Sequence, residues 1–260
     1  LVITNTASTT FNAPDASGML NITGEGSSGS GDGYAFRRVS GAFVDNSGTV
    51  TFKTPTETSI RMGTAAQNFH NVIFDESSAG GIWYVNDEGF TVTGDCTLTD
   101  GDFDTTLGTA TPLIDIQGNL IIGNNNTFGG ITQTQTSDIS IGALDIGSSG
   151  ATFKATSGTT TITAQEAVSG MGWENNRGAN GYVHNNGTVK FTDNASVYCK
   201  EDKFYDLEIS LSSSSLEFRW QDISGNTLTI YNNLTITSGR FKFNTAGDAI
   251  TVHGLTTVNG

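Results

Sequence analysis

The chain has 260 residues, of which 33 are glycine and only 35 % are apolar, and 26 acidic against 12 basic side chains give a net charge of −14. Charged residues are 15 %, against about 25 % in ordinary domains, so Ser, Thr, Asn and Gly fill the polar share; as poor helix formers they exclude a helical bundle or coiled coil. The acidic balance, with Arg37-Arg38 the nearest thing to a basic patch, excludes a direct nucleic-acid partner, and no apolar run of about 18 residues exists for membrane insertion.

From the N-terminus, the chain opens at Leu1 with no basic leader, and it closes on "VHGLTTVNG" in mid-pattern; it reads as a piece of a longer protein. "GSSGSGDG" (Gly26 to Gly33) is glycine-rich but lacks the lysine of a phosphate-binding loop, so a plain surface loop is expected. Beyond it, apolar residues alternate with polar ones: Val50 and Phe52, Phe90 and Val92, Cys96 and Leu98, then Leu228 and Ile230, Leu234 and Ile236, Phe241 and Phe243. Such alternation over four to six residues, with threonine between, predicts half-buried strands. Gly, Asn and Asp punctuate these runs and suit sharp corners.

The pattern is duplicated. "NSGTVTFKT" from Asn46 returns as "NNGTVKFTD" from Asn185, "FHNVIF" from Phe69 as "FYDLEI" from Phe204, and "TVTGDCTLTDGDFD" from Thr91 as "TIYNNLTITSGRFK" from Thr229. Two further blocks, around Thr23 and Ile114, recur around Thr163 and Ile250, all in one order at offsets of 135 to 140 residues. Two homologous β-rich modules are expected, 1–150 and 151–260, the second truncated.

Corner chemistry separates two all-β architectures. A two-residue hairpin at Asn232-Asn233 would set Ile230 against Thr235 and split the apolar set between two faces, which one-sided burial forbids. A solenoid corner keeps all four apolar side chains inward. The expected fold is therefore a β-solenoid of two tandem modules, with a pair of β-sandwiches as the alternative.

Candidate chemistry is sparse. Asp100, Asp102 and Asp104, with Asp95 nearby, are the weak candidates for a metal site, placed on one strand face with Phe103 inward. The second module carries Ser238, Arg240 and Lys242 there, so solvated charge is the simpler reading; Asp102 and Asp104 would oppose Arg240 and Lys242 if equivalent faces met. The other carboxylates, Glu76, Asp87, Glu88, Glu166, Glu174, Asp206 and Glu217, follow no spacing rule for glycoside cleavage. No catalytic residue, metal or cofactor is assigned. Trp83 and Trp220 match across the repeat and read as packing residues. Trp173, in "MGWENNRGANG", is the best exposed contact, and with Asn175, Asn176 and Tyr182 it forms the candidate binding set. Cys96 and Cys199 read as buried free thiols rather than a disulfide.

The phrase "FYDLEIS…LTIYNNLTITSGRFKF" (Phe204 to Ile209 and Asn233 to Phe241), echoed at Phe69 to Ile73 and Cys96 to Phe103, resembles a repeat of large surface and virion proteins of bacteriophages and environmental bacteria. The resemblance implies a non-enzymatic structural protein of a tail, fibre or capsid decoration, located in a virion or at a cell surface. Its partners would be copies of itself, as a homo-oligomer, and neighbouring virion or surface proteins. A glycan-binding adhesin is the alternative and a polysaccharide depolymerase the third reading.

Overall fold

Period-two alternation is what the chain folds on. In Asn71–Asp75, Val72 and Phe74 are buried while Asn71, Ile73 and Asp75 stay half-exposed. The structure is a computed structural model that describes residues 1–3, 10–24, 26–27, 33–54, 57–61, 68–76, 81–85, 89–105, 113–129, 136–221 and 227–259. The loop after Gly26, Asp87 and Glu88 therefore lie largely or wholly outside the described residues.

Every described strand pairs in parallel with the coil before or after it, except the short antiparallel hairpin of Gly26–Ser27 with Gly33-Tyr34. Val72 pairs with Cys96, Cys96 with Leu120 and Leu120 with Leu144, so one coil here advances 24 residues. The chain is a β-solenoid with three faces. The first face carries Met19–Ile22, Thr49–Phe52, Asn71–Asp75, Cys96–Asp100, the C-terminal halves of Ile114–Ile122 and Ile139–Ile146, then Met171–Asn175, Val197–Lys200, Glu217–Trp220 and Arg240–Phe243. The second runs from Val2–Ile3 through Asp102–Asp104 and Thr127–Phe128 to Tyr182–Val183, with Lys203–Phe204, Thr227–Ile230 and Ala249–Val252 following it. On the third, Phe90–Val92 and the N-terminal halves of the two long strands lead to Thr159–Ile162, Thr188–Phe191, Asp206–Ser210, Leu234–Ser238 and Thr256–Val258.

A single apolar column fills the coil interior. Rings stack along the second face, Phe103 on Phe128 at 4.9 Å and Phe128 on Phe153 at 5.8 Å, with Phe153, Tyr182 and Phe204 continuing the series. Trp83 and Trp220 are fully buried within it, and their indole nitrogens donate to Thr54 Oγ1 and the Glu201 carbonyl. Cys96 and Cys199 are free and buried, both on the first face but four coils apart, too far to bridge.

Asn232-Asn233 is a corner. The strands on either side do not pair with each other; Thr227–Ile230 pairs with Ala249–Val252, and Leu234–Ser238 lies between Asp206–Ser210 and Thr256–Val258. Side chains there bridge successive coils: Asp206 Oδ1 accepts from the Asn233 amide at 2.8 Å, and Asn233 Oδ1 from that of Leu255 at 2.9 Å. In the first half, Asn71 Oδ1 accepts from Asp95 N and Asp95 Oδ1 from Asn119 N. The Asn and Asp residues at these corners thus satisfy amides that the strands leave unpaired.

The repeated blocks occupy corresponding strands, displaced by one face. Asn71–Asp75 lies on the first face and its counterpart Asp206–Ser210 on the third, because the intervening chain makes five full coils and two further sides. The corners agree in detail. Asn46 and Ser47 have φ of 47° and 62°, and Asn185 and Asn186 have 48° and 60°. Gly48 and Gly187 follow them, each so close to the coil beneath that a Cβ would lie 2.3 Å from a carbonyl oxygen, of Pro14 and Thr156 respectively. The ladder passes residue 150 without a break, Phe128 pairing with Phe153 and Ile141 with Ile162.

Candidate functional site

The expected binding set is mostly interior. A register shift between Met171 and Trp173 turns the indole inward opposite Cys199, and Trp173, Asn175 and Tyr182 are fully buried. The Gly- and Asn-rich composition around Trp173 suggested an exposed loop, but the segment is a strand of the first face, and the expectation of a surface tryptophan is corrected. Of the four, only Asn176 faces solvent, donating to Asp145 Oδ1 at 3.2 Å and accepting from Lys200 Nζ at 2.6 Å.

Inside, these residues form a polar knot. Asn175 Nδ2 donates to Glu201 Oε2 at 2.9 Å and to the Gly178 carbonyl at 2.8 Å, while its Oδ1 accepts from the amides of Arg177 and Gly178. Glu201 Oε1 accepts from the Asp202 amide at 3.0 Å. Burial pushes the Glu201 carboxyl up to about 7, against the opposing pull of its hydrogen bonds. Burial likewise raises the Tyr182 phenol and the Cys199 thiol well above their ordinary values, with the Glu201 charge adding to both.

The aspartate trio does not converge. Gly101, with φ of 97°, makes a corner between Cys96–Asp100 and Asp102–Asp104, which puts Asp100 on the first face and the other two on the second. Asp102 Oδ1 accepts from the Thr127 amide at 2.6 Å, and Asp104 is buried. Among the described residues no group of three or more His, Cys, Asp or Glu has metal-binding geometry. Arg240 and Lys242 stand on the first face, where Lys242 lies 3.4 Å from Glu217, so within one chain they do not oppose Asp102 and Asp104.

Acids do gather on the outer side of the first face. A shallow cleft there is lined by Ile121, Leu144, Met171, Asp145, Glu166 and Glu174, among others. The segment 163–170 projects beside it, with Val168 at its tip 96 % exposed. Partial burial and the neighbouring Glu174 charge raise the Asp145 carboxyl; Glu174 is held 3.7 Å from Lys200 and Glu166 accepts from the Ser169 hydroxyl. This cleft offers negative charge over an apolar floor, with its carboxylates already engaged by neighbours.

One surface feature escaped the sequence reading. At the corner between second and third faces, successive coils carry His184, Tyr205, Tyr231 and His253; the His184 ring contacts those of Tyr205 and Tyr231, and Tyr231 that of His253. The signal was present in the repeat, where the same positions hold Asp45, His70, Thr93 and Gln117. Comparison with family models, curated proteins and solved structures found no match to this chain.

Proposed function

We propose that the protein is a non-enzymatic structural element, an acidic β-solenoid strut that works by stacking and strand-edge contact with its own copies and with neighbouring proteins. The observation that supports this reading is the unbroken parallel ladder of the first face, from Met19–Ile22 to Arg240–Phe243, in which each coil buries its inner side against its neighbours while Asn and Asp side chains bridge the corners. A rung of this kind completes its burial only against another rung. The likeness of Phe204 to Ile209 and Asn233 to Phe241 to repeats of phage and bacterial surface proteins favours a virion or cell-surface setting.

Sedimentation velocity and electron microscopy of the purified chain test the role, alongside incubation with bacterial surface polysaccharides. Rod-shaped particles that lengthen with concentration, and intact polysaccharide, are the expected result. Release of new reducing or unsaturated ends would replace the structural reading with a depolymerase. Proteomics of purified particles tests the setting.

A further inference from the structure

The outward aromatic column goes beyond a structural role. The His184 ring lies 5.5 Å from Tyr205 and 5.4 Å from Tyr231, at interplanar angles of 26° and 42°, and Tyr231 lies 6.1 Å from His253 at 8°. His184 and Tyr205 are half-buried, and the more open rings are the later pair. Tyr231 is 47 % exposed, His253 is exposed, and Leu255, 67 % exposed, lies beyond the end of the column.

Fold maintenance does not call for these rings. The homologous corner of the first half closes with the same backbone bonds, Gly94 N to His70 O and Gly118 N to Gly94 O, matching Asn232 N to Tyr205 O and Gly254 N to Asn232 O. Yet it carries Asp45, His70, Thr93 and Gln117, with His70 Nδ1 and Thr93 Oγ1 hydrogen-bonded at 3.0 Å. Aromatic character is thus a property of the second half's surface, not of the coil geometry.

We infer that His184, Tyr205, Tyr231 and His253 form a binding strip for a neutral, linear oligosaccharide. The ring contacts run Tyr205–His184–Tyr231–His253 across four successive coils, an elongated patch along the solenoid axis that suits a single extended polymer. A stable protein interface engages about 20–30 residues on each side, far more than this column supplies. An added peptide strand needs unpaired backbone, and here the amides of Tyr231 and His253 already donate to Phe204 and Ile230. Sugar rings offer apolar C–H patches to aromatic faces and hydroxyls to phenol and imidazole edges, which is the chemistry this column displays. The net charge of −14 disfavours a polyanionic chain.

Calorimetric titration with cellohexaose, maltohexaose and chitohexaose tests the strip. Saturable binding of at least one is expected. Tyr231→Ala should weaken it about tenfold, the loss of one stacked ring. Tyr231→Phe should retain most of it, and Thr93→Ala, at the matching position of the first half, should leave it unchanged. Thermal melts of each variant establish that the fold is intact. No saturable binding of any of the three at millimolar concentration would overturn the inference, as would binding that survives Tyr231→Ala. So would a dimer, seen by sedimentation, that dissolves in Tyr231→Ala while the sugars fail to bind.

Discussion

Asn175 and Glu201, one coil apart on the first face, are joined by a 2.9 Å hydrogen bond from the amide to a carboxylate that water does not reach. Burial is the larger influence on this carboxyl and lifts it to about 7 from 4.5. The folded state holds the proton more tightly than the unfolded chain, so the contribution is complete below the unfolded value and is lost as pH rises through the folded one. Stability should therefore fall between pH 5 and pH 8, by up to about 3 kcal/mol from this group. Asp102 and Asp145, also raised, act in the same sense, and His184, lowered by burial and Lys203, acts in the opposite one. Urea melts across this range should show a steeper pH dependence for the native chain than for Glu201→Gln. Equal slopes would remove Glu201 as the cause.

Alternation at Cys96/Leu98 and the failure of a hairpin register at Asn232-Asn233 made the solenoid readable, because both depend on local two-residue periodicity. The repeated blocks were equally visible, as in "NSGTVTFKT" and "NNGTVKFTD". Their relation by one face was not. An offset of 136 residues between Ile114 and Ile250 becomes five and two-thirds turns only when the 24-residue coil is known, and that length is a property of strand pairing. Trp173 misled for a related reason. Its inward direction is set by a register shift against Val197–Lys200, a strand more than twenty residues away, while its neighbours Gly172, Asn175 and Asn176 imitate a loop. The His–Tyr column was hidden because its members are separated by whole coils and only stacking brings them together.

Gly187 tests how tightly the coils nest. A methyl group there would stand 2.3 Å from the Thr156 carbonyl oxygen, and both are backbone-anchored, so the corner must move. Movement loosens the Gly187 N to His184 O bond and the Thr188 N to Gly158 O bond, each near 3 Å. Gly187→Ala should cost about 2–3 kcal/mol in denaturant melts. Asn186→Gly, where the φ of 60° already favours glycine, should stay within about 0.5 kcal/mol of the native chain. Equal effects from the two would mean that the corner is loose.

Asp206 tests the side-chain ladder that seals the corners. Its carboxylate accepts from Asn233 N at 2.8 Å and from Asn232 Nδ2 at 2.9 Å. Asp206→Ala leaves a half-buried amide without its acceptor and should cost about 1–2 kcal/mol. Asp206→Asn keeps one carbonyl oxygen for the Asn233 amide, as Asn71 does for Asp95, and should recover most of the loss. If both variants fall equally, the carboxylate charge rather than the acceptor geometry holds the corner.

Trp173 distinguishes an interior residue from a surface contact. Its ring meets Tyr182 at 4.8 Å, Phe204 at 5.6 Å and Phe153 at 5.7 Å, all edge-to-face, at the centre of the coil. Trp173→Ala opens a cavity among these rings and should cost about 3–5 kcal/mol. Trp173→Phe keeps the edge-to-face contacts. It also deletes an indole N–H that is buried without a hydrogen-bond partner, a group that costs about 1–3 kcal/mol to leave unsatisfied. The phenylalanine variant should therefore melt much nearer the native chain than the alanine variant does. An alanine variant as stable as the native chain would place Trp173 outside the core, and the column from Phe103 to Phe204 would lose its centre.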